Sequence, residues 1–139
     1  MVHALRRAGH RLKPGATLIS IRPHRTWRPL VSIITPSGRV PVARLINSAF
    51  DGRLSAAEAA LTHVVHEGQF TLVGIRDQRY RARLDNLSQL RTYLELIAPP
   101  RPRFPAGRRA RLLEIWKSRP RGSRIEIAES IVVTALQRC

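Results

Sequence analysis

The sequence predicts an α/β fold. Three observations carry that expectation. Apolar residues repeat with helical spacing in four segments and with strand spacing or as short apolar runs in five others, and the two kinds interleave along the chain. Proline and glycine fall between those segments rather than inside most of them. The chain also opens in mid-pattern: a basic helical segment, a Pro14-Gly15 turn, and then the apolar strand "ATLISIRP".

The elements follow in order. Residues 2–11 read as a short helix with Ala4, Leu5, Ala8 and Leu12 roughly on one side, stopped by Pro14 and Gly15. The strand that follows is built of short, mostly apolar residues and ends at Pro23. "LVSIITPSGRVPVARL" reads as a β-hairpin over about 29–45. Pro36 and Gly38 suit its turn, and Pro41 suits an edge strand. A helix is expected over 55–67, with Ser55 as N-cap, Glu58 completing a capping box and Gly68 past the end.

"QFTLVGIRDQRYRARL" reads as a strand whose second half alternates, with Arg79, Arg81 and Arg83 on one face and Tyr80, Ala82 and Leu84 on the other. "DNLSQLRTYLELI" is a helix capped by Asp85 or Asn86. A Pro/Arg linker leads to a further helix at about 104–118 that packs through Leu112, Leu113 and Trp116. The last element, "RIEIAESIVVTALQ", is a long strand. Glu129 falls there on the apolar parity, which predicts a bulge or a passage from solvent into the core.

A length of 139 residues with 43% hydrophobic content suits a single domain over residues 1–139 with a real core. No apolar run approaches the roughly 18–20 residues that span a bilayer, and the N-terminus lacks a signal-peptide core, so a cytoplasmic chain with no membrane partner is expected. Cys139, the single cysteine, offers neither an internal disulfide nor a thiolate metal site.

The charge is unusual: 25 basic against 9 acidic residues, a formal +16, with Lys13 and Lys117 the only lysines. Arginine is the side chain that grips phosphate and carboxylate bidentately. Residues 1–44 carry nine basic groups and no acid, and residues 76–124 carry fourteen basic groups against four acids. Two readings stand side by side: a polyanion-binding face, or a basic surface set by composition alone.

Catalytic motifs are sparse. His63 and His66 are spaced for metal ligation but lack a supporting carboxylate, so no metal site is assigned. No serine sits in a nucleophile-elbow context and no phosphate loop occurs. The eight glycines are dispersed, and no glycine-rich strand-to-helix loop of the kind that holds a nucleotide-type cofactor runs through them. No catalytic or cofactor-binding residue is therefore assigned.

"ALRRAGHRLKPGATLISIRP" resembles a segment of class I S-adenosylmethionine-dependent methyltransferases, with the signature at Leu12, Lys13, Pro14 and Gly15 and a departure at Ala16, where a second glycine is usual. The downstream order is similar to that family's C-terminal half. The resemblance implies a partial doubly wound mixed sheet, Rossmann-like, with the hairpin at 29–45 inserted. It implies S-adenosylmethionine as cofactor, but with the donor-binding loop and the ribose-binding acid upstream of Met1. It implies, further, a strand near 17–22 flanked on one side by an earlier strand and on the other by the last strand. Without the earlier half, that strand has a free apolar edge. The expected outcome is a homodimer, docking on a separate N-terminal-half partner, or a truncated relic.

The function expected on this basis is a methyltransferase-like domain that is not competent alone. The alternative is a nucleic-acid or polyanion-binding module using Arg79, Arg81 and Arg83 with Arg101, Arg103, Arg108 and Arg109. His24, Arg25 and Trp27, just past the end of a strand, are candidates for the acceptor side, with a stacked Arg–Trp surface pair as the plainer reading.

Overall fold

The structure is a computed structural model that describes residues 1–139. Nine elements follow one another: α1 (Val2–Arg11), β1 (Thr17–Pro23), β2 (Leu30–Thr35), β3 (Gly38–Arg44), α2 (Ser48–His66), β4 (Phe70–Leu84), α3 (Leu87–Leu96), α4 (Arg108–Lys117) and β5 (Arg124–Arg138). The strands form one five-stranded sheet of order β1-β5-β2-β3, with β4 paired to β5. Every pairing is antiparallel.

This corrects the expected doubly wound mixed sheet. The physical reason lies in the last strand. β1 and β4, separated in the chain by the β2–β3 hairpin and α2, run in the same direction because each is antiparallel to the last strand. They do not bond to each other. Each bonds instead to the 15-residue β5, which runs the opposite way. β2 joins the same strand further along, from Leu30↔Ala128 to Ile34↔Arg124, so no parallel neighbours remain.

By its internal contacts the chain divides into two compact units, one of Met1–Arg25, Phe50–Gln78 and Ile131–Cys139, the other of Thr26–Ala49 and Arg79–Ser130. In the first, Leu61 and Val64 of α2 pack with Phe70 and Leu136, and Leu5, Leu12 and Leu18 join from α1, the turn and β1. Phe70 is 1% exposed; burial of such a ring contributes roughly 1.5–3 kcal/mol. Arg138 ties this unit together, donating from Nε to the Gly9 carbonyl and from a terminal nitrogen to that of Gln69, each at 2.8 Å.

α2 begins at Ser48, seven residues before the expected start, so Ser55 is an interior residue and caps nothing. Asp51 and Gly52 look like loop residues, but Leu54 at 6% exposure offsets a glycine penalty of about 1 kcal/mol. At its other end the helix closes as a Schellman turn. Gly68 at φ +69° donates to the Val65 carbonyl, and the next residue, Gln69, donates to that of Val64.

In the second unit, Val31, Ile33, Val42, Leu45, Ile125 and Ile127 form the sheet side of the core. Leu90 from α3, and Leu112 and Trp116 from α4, cover it. Asn86 caps α3 by accepting from the Gln89 amide at 2.9 Å, which selects it over Asp85. β3 is the outer strand, with Pro41 opposite Ser32 just past a register shift in β2. No helix is long and apolar enough to cross a membrane.

Candidate functional site

Alternation along β4 puts Arg81 and Arg83 on one face of the second unit's sheet. Neighbouring strands complete the group. Glu126 of β5 lies opposite Ser32 of β2, and both are buried, at 2% and 1% exposure. Three guanidiniums surround that carboxylate: Arg39 from β3 at 2.7 Å, Arg83 at 3.8 Å and Arg81 at 3.9 Å. One buried negative charge thus organises three positive ones, and the arginine side chains that cover it stay largely in water. The cluster keeps an excess of two positive charges and of N–H donors, the arrangement that accepts phosphate or carboxylate oxygens.

Arg79 is drawn aside from this group. Its guanidinium lies over the Trp27 ring at 4.3 Å from the centroid, and that of Arg44 lies over the same ring at 5.4 Å. Trp27 therefore stacks with Arg79 and Arg44, and not with Arg25, its near neighbour in sequence.

His24 and Arg25 belong to the first unit. Arg25 pairs with Glu58 of α2 at 3.2 Å, and His24 Nε2 lies 3.7 Å from Asp77. Arg22, which the sequence reading did not single out, donates to Thr134 Oγ1 at 2.8 Å and approaches Glu58 at 3.9 Å. Its alternation with Ile19 and Ile21 along β1 was the available signal.

Arg101, Arg103 and Arg109 gather elsewhere, around a cleft of about 470 Å³ between α3, the 97–107 segment and α4. Arg91 of α3 joins them there. Arg108 is the exposed first residue of α4. Of the seven arginines grouped by sequence, Arg81 and Arg83 join the sheet-face cluster and Arg101, Arg103 and Arg109 line the helical cleft, while Arg79 stacks on Trp27 and Arg108 opens α4.

On the core side of the sheet, Glu129 accepts hydrogen bonds from Tyr80 at 2.6 Å and Tyr93 at 2.7 Å. Burial, and then the bonds to Glu129, push Tyr80 up to about 12 and raise Tyr93 further, so both act as neutral donors. His63 lies 3.1 Å from Glu67 and within hydrogen-bond distance of Arg6. The bond from Arg6 holds Glu67 below the usual carboxylate range. No group of three or more His, Cys, Asp or Glu side chains converges as a metal site would need.

The β1 strand offers a different kind of site. It is bonded to β5 from Thr17↔Gln137 to Pro23↔Ile131 and ends the sheet, so its outer edge is open. Leu18 faces the core, whereas Ile19 and Ile21 on the opposite face are 52% and 65% exposed. Val73 of β4, in the same unit, is 62% exposed. In comparisons with known proteins, no family model, curated protein or solved structure matches the chain.

Proposed function

We propose that this chain is the acceptor-side part of a methyltransferase-like enzyme and is not competent without a donor-binding segment, supplied by a further stretch of polypeptide or by a separate chain. The observation that carries the reading is β1. It follows the Leu12-Lys13-Pro14-Gly15 turn, takes the last strand as its one neighbour, and leaves its other edge open with Ile19 and Ile21 exposed. An unpaired apolar edge is a template for a further strand. S-adenosylmethionine is the cofactor this proposal implies, held by the missing segment rather than by any residue of this chain. The proposal carries a cytoplasmic location with it, in keeping with the lone Cys139.

The test is calorimetric. The chain, folded by circular dichroism, is titrated with S-adenosylmethionine alone and again after co-expression with the reading frame encoded directly upstream. No saturable heat is expected from the chain alone, and one equivalent bound is expected from the complex. One-site heat from the isolated chain, failure to associate, or a complex that binds none overturns the reading.

A second reading is favoured by the arginine cluster on Glu126. A sheet face with three guanidiniums arranged by one buried carboxylate suits a polyanion such as single-stranded nucleic acid. Its salt dependence provides the test.

A further inference from the structure

The cleft between α3 and α4 has two chemically distinct parts. Its floor and walls are apolar: Leu90 and Leu112 are 4% and 1% exposed, with Leu94 and Phe104 beside them. Its rim is cationic, with Arg91, Arg101, Arg103 and Arg109 against a single acid, Glu95. Of the carboxylates that flank the lining residues in sequence, Asp85 pairs with Arg124 at 3.1 Å, and Glu114 follows Leu113 on α4 without lining the cleft. Arg101 is held in place by donating from Nε to the Ile97 carbonyl at 3.1 Å, which leaves its terminal nitrogens to face a ligand. A volume of about 470 Å³ lies within the roughly 300–1,000 Å³ range of small-molecule sites.

These parts select a ligand class. A polyanion would pair with the rim and leave the apolar floor wet. A neutral apolar molecule would fill the floor and leave four guanidiniums without an anion. A cationic amphiphile would meet a rim of net charge near +3. Only a molecule with an apolar body and an anionic head satisfies both parts.

We propose that this cleft binds an anionic amphiphile, in the simplest case a medium- or long-chain acyl carboxylate. The chain lies on Leu90, Leu94, Phe104 and Leu112, and the carboxylate sits among the rim arginines, where a guanidinium donates two parallel N–H bonds to its oxygens. The proposal is independent of methyl transfer and of the Glu126 cluster, since it uses residues of neither.

The experiment titrates the whole chain calorimetrically with laurate below its micellar concentration, with circular dichroism recorded throughout. One saturable site per chain is expected, and affinity should rise about fourfold per methylene from octanoate to laurate. Dodecyltrimethylammonium, with the same chain and the opposite charge, should bind at least tenfold more weakly. Arg101→Ala with Arg109→Ala should weaken laurate at least tenfold, and Leu94→Asp should do the same from the apolar side. Arg7→Ala with Arg11→Ala, exposed on α1, which lowers the net charge equally, should leave laurate affinity unchanged. Equal binding of the cationic chain, many laurates per chain, no saturable heat, or an unaltered affinity in the Arg101/Arg109 variant overturns the proposal.

Discussion

The Tyr80 hydroxyl donates to Glu129 at 2.6 Å, and that of Tyr93 takes the second oxygen of the same carboxylate at 2.7 Å. Glu129 therefore sits on the core side of β5 with both oxygens satisfied. The bonds explain how an acid occupies the parity of Ile125 and Ile127 without a buried unpaired charge.

This triad has a direct spectroscopic consequence, because Tyr80 and Tyr93 are the chain's two tyrosines. Both are raised above the ordinary phenol value, Tyr80 to about 12 and Tyr93 further, first by burial and then by Glu129. The folded chain should show almost no phenolate absorbance near pH 10, and its first midpoint should lie near 12. The urea-unfolded chain should titrate near the ordinary value of about 10. A folded pKa above the unfolded one means the native state holds the proton more tightly. The stabilisation is then fully present below about pH 10 and is lost as pH rises through about 12. A folded chain titrating with a midpoint near 10 would contradict the triad.

Some of this was legible in the sequence. The alternation "RYRARL" assigned Arg81 and Arg83 to one face and Tyr80, Ala82 and Leu84 to the other, because strand period is a local property. Asn86 as a cap and Pro41 on an outer strand are local in the same way. That β1 lies beside the last strand was implied by the family resemblance, and the structure pairs them from Thr17↔Gln137 to Pro23↔Ile131. That β2 and β4 share the same last strand was not legible, since nothing local encodes it. Nor was the Glu126 cluster, because the arginines that cover this carboxylate come from β3 and β4, remote from it in sequence. The start of α2 was obscured by Asp51 and Gly52, whose turn character is overridden by tertiary burial of Leu54.

Removing the charge of Glu126 tests what holds the arginine face together. Glu126→Gln keeps the shape but leaves Arg39, Arg81 and Arg83 facing one another. The expected loss is about 2 kcal/mol, less than the roughly 3–5 kcal/mol of a fully buried pair because the guanidiniums stay in contact with water. Urea denaturation measures it directly. A variant as stable as the parent would mean that the carboxylate does not organise the cluster.

If that face grips a polyanion, the binding must be salt-dependent. Contacts from Arg39, Arg81 and Arg83 to a single-stranded oligonucleotide give a slope of log affinity against log salt of about −2. Arg81→Ala with Arg83→Ala should bring it about 1 to 2 units closer to zero. The Arg101/Arg109 double variant should leave this contribution intact, because those side chains line the helical cleft. Affinity that is flat between low and moderate salt, or a slope unmoved by loss of Arg81 and Arg83, would remove this reading.

The open edge of β1 makes a prediction about hydrogen exchange. In an antiparallel edge strand alternate amides point toward the one neighbour and the others point outward. Within residues 17–22, amides bonded to β5 should therefore be protected and the alternating ones should exchange quickly in the isolated chain. Docking of a further strand should slow the fast set and leave the other unchanged. Ile19→Lys with Ile21→Lys should block that docking, since charge on an exposed edge strand opposes pairing. Both side chains are more than half exposed, so each change should shift stability by no more than about 0.5 kcal/mol. Uniform protection across β1 in a chain that light scattering shows to be monomeric would mean that the edge is already covered, and the argument for a missing partner strand would fall.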